Sequence, residues 1–362
     1  MVTALVRCTE LGSFHTFPSA IAMSELTWTA LRGHSEWIEN CCFSPDGRLL
    51  ATSSGDETVR LWDLTKPGYP AVAVLSHPDS YAVWSCDFSR DGGLLCTCTD
   101  TGGVHVWKMP KRDREGNLKT SEGHLVRSFC SKDAHGFPTS LYRCRFSPCF
   151  NYLAACGVDR TIKIWCWREY DVFQATLVGH KNSVEDLAFA PDPDSHLPNF
   201  QIASCSRDRT TRLWTGRVGG NDLQCKILQG QGGPKWALAV SFSPDGSLLA
   251  TCCSDGTVQI WCTRTLTEPR VLTGHTSTVW SGSFLHTAAD RLVLATCSSD
   301  KTVRLWDPVS GKQLLQAERV MSGAADPNLE ELFCCRLSPD GRLLACCAND
   351  NNVYLASIDG KF

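Results

Sequence analysis

The segment from Gly274 to Asp307, GHTSTVWSGSFLHTAADRLVLATCSSDKTVRLWD, limits the fold more than any other feature, because the chain spells it repeatedly. It opens on Gly274-His275, runs through one apolar stretch from Val279 to Phe284 and another from Leu292 to Cys297, turns at Asp300, and closes on Val303, Leu305 and Trp306. Runs this short, alternating or bounded by turn residues, are strands. Further copies end at Trp62, Trp107, Trp165, Trp214 and Trp261, and a last one ends at Ala356, where the Trp is lost but Asp350, Val353 and Leu355 keep the register. The copies recur every 45 to 58 residues, the length of a four-stranded unit that buries its faces only by stacking on its neighbours.

Gly-His openings, turn aspartates and closing tryptophans, spread from Leu26 to Ile358, resemble the WD40 repeat family. The resemblance implies an all-β chain: one seven-bladed propeller over residues 25–362, preceded by an irregular arm at 1–24. LTWTAL, Leu26 to Leu31, precedes Gly33-His34 as RVLT precedes Gly274-His275, which is the slot of an outermost strand. Since the last repeat ends soon after its third strand, this N-terminal strand is expected to complete the seventh blade and leave no long unpaired edge.

A length of 362 residues would ordinarily suggest two domains, but a closed propeller uses it as one. The formal net charge of −3 gives no global reason to expect nucleic acid or an acidic membrane as partner. Many of the 21 cysteines fall inside strands at equivalent repeat positions, among them Cys42, Cys86, Cys98, Cys144, Cys252 and Cys297. With no C-x-x-C, no zinc-type Cys/His spacing and no glycosylation sequon, they read as reduced core thiols, and neither metal nor cofactor is expected. The first residues lack the pattern of a secretory signal, and no apolar run is long enough to cross a bilayer. A cytoplasmic location, shared with the nucleus, is the expectation.

Within each blade the resemblance implies a buried tetrad of His, Ser or Thr, Asp and Trp. Blade one offers His34, Thr52, Asp56 and Trp62; blade four His180, Ser204, Asp208 and Trp214; blade six His275, Thr296, Asp300 and Trp306. The indole N–H and the hydroxyl need buried partners, His bridges them, and Asp fixes its tautomer. A His-Ser-Asp hydrolase would use the same residue types, but a catalytic triad is made once, whereas this constellation returns blade after blade. No enzyme is expected. Blades two, three, five and seven depart from the pattern, with Thr101, Ala155, Gln231 and Ala356 at tetrad positions, and are expected to be softer.

The residue after the first apolar position of each first strand is Glu39, Trp84, Tyr142, Glu185, Leu238, Trp280 and Phe333. The family places such residues around one mouth of the central channel. Four aromatics and two acids suit an Arg- or Lys-bearing protein segment, with rings for the stem and Glu39 or Glu185 for the charge; Arg207 and Asn349 are candidates for the same rim. Arg168, Arg217 and Arg264, three residues past Trp165, Trp214 and Trp261, resemble the adaptor-docking arginines of cullin-type ubiquitin-ligase substrate receptors. The acidic residue that follows Trp in those receptors is here Cys166, Thr215 and Cys262. The segment 108–133 carries Lys108, Lys111, Arg112, Arg114 and Lys119 before an outer strand at Leu125 to Phe129, and reads as a solvated basic insertion. The function expected is that of a protein-interaction scaffold, monomeric within a larger complex, with docking on a ubiquitin ligase as the alternative.

Overall fold

The computed structural model describes residues 26–77, 82–110, 124–168, 173–191, 199–217, 220, 222–229, 235–287, 290–318 and 331–358. Among them the secondary structure is all β: seven four-stranded antiparallel sheets and no helix. Six sheets are consecutive in the chain, and the seventh joins both ends. Its order is Trp28–Arg32, Asn352–Ser357, Leu343–Ala348, Leu332–Leu337, with Trp28 opposite Ala356 and Arg32 opposite Asn352. The N-terminal strand therefore closes the ring as the repeat register predicts.

The seventh blade also shows where its missing indole went. Trp28 on the outer strand is the cross-strand partner of Ala356 and packs against the apolar cluster that contains it. The volume lost on the third strand is supplied from the fourth.

Apolar clusters lie between successive sheets, so each blade is held by its neighbours. Trp306 of blade six packs with Ala250, Ile260 and Val258 of blade five, and Leu305 of blade six with Leu332 and Leu344 of blade seven. The first and second strands meet at tight turns spelled SPDG or SRDG. Ser44 Oγ donates to Asp46 (2.6 Å) and accepts from the Leu49 amide (2.9 Å), while Gly47 takes φ +69°. That left-handed conformation is one a side chain resists, and blade three adopts it with Phe150 at φ +62°. There the ring meets Trp167 edge to face (5.0 Å between centroids).

The outer strand of blade two runs His124–Cys130, inside the stretch expected as a basic insertion. Lys111, Arg112, Arg114 and Lys119 fall outside the described residues, as do the arm at 1–24, Gln231, and most of the two other long connections, 191–199 and 321–331.

Candidate partner-binding site at the channel mouth

The seven first strands, Ile38–Phe43, Val83–Phe88, Leu141–Phe146, Val184–Phe189, Ala237–Phe242, Val279–His286 and Leu332–Leu337, line the channel. In each, the register to the second strand slips at one residue: Glu39, Trp84, Tyr142, Glu185, Leu238, Trp280 and Phe333 are skipped by the pairing. A β-bulge adds one residue to a strand and re-aims its side chain. Repeated seven times, it turns these side chains to one place, where together with Arg143 and Arg207 they line a single cavity of about 190 Å³. That is room for about six waters.

Two aromatic pairs stand in its wall, Trp84 with Tyr142 (5.4 Å) and Trp280 with Phe333 (5.9 Å), both edge to face. Ser299 holds the Trp280 indole by accepting its N–H (2.7 Å). The two acids, equivalent in sequence, differ in state. Glu185 is already engaged: Arg207 Nε donates to it (2.9 Å), Ser183 Oγ donates to it (2.6 Å), and the Arg207 guanidinium stacks on Trp236 (5.3 Å). Glu185 thus lines the cavity with its charge already met by a cation of its own chain. Glu39 makes no ion pair among the described residues. Burial pushes its carboxyl up to about 7, more than the Arg143 charge pulls it down. It opens onto the cavity yet is poorly hydrated, which makes it the acid a ligand cation would relieve. Asn349 is not among the lining residues; its side chain accepts from the Glu331 amide (3.1 Å).

Beneath the mouth the channel is filled by charge. Arg143 lies 3.4 Å from Asp186, whose other oxygen accepts from the Val240 amide (3.1 Å). Asp87 accepts from the Phe146 amide (3.1 Å), and burial raises its carboxyl to about 6 despite Arg145.

The tetrad residues form continuous relays. Trp306 Nε1 donates to Thr296 Oγ1 (2.9 Å), Thr296 lies 2.8 Å from His275 Nε2, and His275 Nδ1 lies 2.8 Å from Asp300. Blade one repeats this through Trp62, Thr52, His34 and Asp56, and blade four through Trp214, Ser204, His180 and Asp208. The network assigns the tautomer: Nδ1–H faces the carboxylate and Nε2 accepts from the hydroxyl. The hydroxyls of Thr52, Ser204 and Thr296 are fully buried, which withholds them from any substrate. The preceding glycine leaves room for its neighbours: a Cβ on Gly179 would stand 2.3 Å from Arg212 Nη1 and 3.1 Å from the Trp214 ring, so both side chains would have to shift.

Where His is missing, the turn Asp takes a different partner. Asp159 meets the Lys163 ammonium, Asp255 the Lys235 ammonium (2.6 Å) and Asp350 the Tyr354 hydroxyl (2.5 Å). Blade two keeps His77 on Thr97 (2.8 Å), but Nδ1 finds no acceptor, and burial together with His105 lowers the His77 pKa to about 3. A cleft of about 1050 Å³ opens beside blade three, bounded by Trp165, Lys163 and Asp159. The sequence reading passed over it.

Burial works against the charge of Asp56, Asp208 and Asp300, but their His and Thr partners overcome it and hold all three well below the usual carboxylate range. Folded pKa values lie below unfolded ones, so this stability is complete above the unfolded value and is lost as pH falls. The urea midpoint is expected to drop below about pH 4, and Asp300→Asn should flatten that slope; a midpoint constant from pH 6 to 3 contradicts the assignment.

The three arginines past the blade Trp lie at the end of the ring opposite the mouth, where the third strands finish beside the SPDG turns. They do not converge. Arg168 stacks over Phe150 (4.9 Å) and Trp167 (5.5 Å), Arg217 lies 3.6 Å from Asp222, and Arg264 is exposed.

Comparison with known proteins places this geometry. The family model described as "WD domain, G-beta repeat" matches residues 24–63, 70–108, 120–166, 172–215, 224–262, 266–307 and 321–356. The chain is 33% identical to protein transport protein SEC13 of Mycosarcoma maydis over 122 residues, 30% of this chain and 33% of that protein. It is 24% identical to apoptotic protease-activating factor 1 of Rattus norvegicus over 278 residues, 70% of this chain and 21% of that one. Nuclear distribution protein nudF of Aspergillus flavus matches at 34% over 116 residues, 32% of this chain and 24% of its own. The chain thus spans between about a fifth and a third of the length of these relatives.

Proposed function

The chain belongs to the WD40 family, and on that premise we propose that it is a non-enzymatic scaffold whose channel mouth receives a protein segment bearing an Arg or Lys side chain. The carrying observation is that all seven bulge residues line one cavity in which Glu39 has no ion pair among the described residues, while Trp84, Tyr142, Trp280 and Phe333 stand around it. An aliphatic stem suits the ring faces, and a cation over them gains from their quadrupoles. At Glu39 it meets a carboxyl whose charge is costly until paired. Relatives named for protein transport and nuclear distribution support a role in holding other proteins.

The test is binding of degenerate peptide pools with Arg, Lys or uncharged citrulline fixed at one position. Wild type is expected to prefer the cationic pools. Combining Trp84→Ala, Trp280→Ala and Phe333→Ala should weaken that binding by about tenfold or more with the unfolding midpoint retained. Equal binding of all pools, or a variant that binds as well as wild type, refutes the reading. The alternative, a substrate receptor docking a cullin adaptor, draws on Arg168, Arg217 and Arg264, which stand clear of the mouth and would leave it open to a substrate. Recovery of cullin-associated proteins unchanged by Arg168→Ala, Arg217→Ala and Arg264→Ala together removes it.

A further inference from the structure

Three cysteines meet at the seam where the ring closes. Cys41 lies on the first strand of blade one, Cys334 on the first strand of blade seven, and Cys347 directly across the ladder from Cys334. All three are fully buried. Their Sγ atoms lie within 4.8 Å of one another, with Cys41 and Cys334 4.0 Å apart. With a metal–sulfur bond of about 2.3 Å, three sulfurs around a trigonal ion stand about 4.0 Å apart. The present triangle needs to close by less than an ångström. A disulfide, at about 2.05 Å, would draw Cys41 and Cys334 together by roughly twice as much.

The surroundings differ from those of an ordinary core thiol. The half-buried Arg336 donates from Nη1 to Ser281 Oγ (2.9 Å) and to the Cys335 carbonyl (3.0 Å), and Ser281 Oγ donates toward Cys334 Sγ (3.9 Å). Among the described residues no fourth Cys, His, Asp or Glu completes a tetrahedron, the arrangement that zinc takes in structural sites. Soft thiolates in threefold array suit Cu(I).

We propose that Cys41, Cys334 and Cys347 form a three-thiolate site for a soft monovalent cation of the Cu(I) type, joining blade one to blade seven. On loading, each Sγ gives up a proton as its bond to the ion forms, three protons leave, and the ion keeps its oxidation state. Because the three sulfurs meet only across the seam, the ion stabilises closure to the extent that it binds this preformed set more tightly than the thiols of the unfolded chain. It gains access during folding or through transient parting of the seam. Residues separated by nearly the whole chain carry no spacing signal, so a sequence reading expects no metal here.

The experiment is anaerobic transfer of Cu(I) from a chromophoric chelator to the fully reduced protein. A parent carrying Cys130→Ala, Cys225→Ala and Cys262→Ala removes the thiols exposed among the described residues, and Cys8→Ala removes the one cysteine outside them. The parent is expected to withdraw one ion per chain, develop a near-ultraviolet thiolate charge-transfer band, and unfold at higher temperature. Adding Cys334→Ala should abolish all three changes, and Cys41→Ala or Cys347→Ala should each weaken transfer by about tenfold or more. X-ray absorption of the loaded parent keeps the test independent of whether those variants fold: three sulfurs at about 2.3 Å are expected. No transfer to the parent, transfer undiminished by Cys334→Ala in a folded variant, a shell of other than three sulfurs, or a native Cys41–Cys334 disulfide overturns the proposal.

Discussion

Trp306→Ala is expected to lower stability by about 4 to 6 kcal/mol, the cost of emptying an aromatic-sized core site plus that of a lost buried hydrogen bond. Trp306 is 2% exposed and packs with Leu294, Ile260 and Ala250, so its removal opens a cavity between blades five and six. It also takes away the donor that orients the Thr296 hydroxyl toward His275. Trp306→Phe keeps most of the burial and loses only the N–H, and should cost about 1 to 3 kcal/mol. Denaturant melts followed by circular dichroism check both values. A midpoint unchanged in Trp306→Ala would mean that the relay contributes nothing to the fold.

Glu39→Gln should stabilise the protein by an amount that grows as pH rises from about 4.5 to about 7 and stays constant above that. Burial raises the Glu39 carboxyl from 4.5 to about 7. With the folded value above the unfolded one, the folded chain holds the extra proton between them, and stability falls as pH rises through 7. The shift corresponds to on the order of 3 kcal/mol at alkaline pH, a cost that Gln does not carry and that vanishes below about pH 4.5. Midpoints of both proteins from pH 4 to 9 give the difference directly; parallel curves would contradict it. The same proton links to the proposed ligand. A cation binds the ionised form, so affinity of a basic peptide should rise toward pH 7, changing by about tenfold per unit below it, and should lose that dependence in Glu39→Gln.

The fold was legible because its determinants are local. Gly-His, the turn Asp and the closing Trp recur within one blade and fix where strands begin and end, and the slot before Gly33-His34 was enough to place Trp28–Arg32 in the seventh blade. The mouth was legible in part. Its seven positions follow from register, but the reason they converge is a bulge, and alternation does not announce one when its residues are as unlike as Glu39, Leu238 and Phe333. Nor does register distinguish Glu185 from Glu39: the difference comes from Arg207, 22 positions further on. The substitutes for the missing histidines were hidden for a similar reason. Lys163, Lys235 and Tyr354 approach the turn Asp from different strands and connections. Blades three, five and seven, expected to be soft for their departures at Ala155, Gln231 and Ala356, thus regain an anchor for the turn Asp. The thiol triangle, divided between residue 41 and residues 334 and 347, depends on closure itself.

The residues that the ladder skips have no cross-strand partner in the pairing of first and second strands. Replacing one leaves the pairing on either side intact, so the ring's architecture and its choice of ligand are written in separate letters of the chain. Descent can then preserve one while rewriting the other. Proteins a quarter to a third identical to this chain over the segments that align with it, and named for tasks as different as transport, apoptosis and nuclear distribution, are the outcome such a separation allows. Kinship in this ring is evidence about shape; under the proposed function, the partner is read from seven side chains.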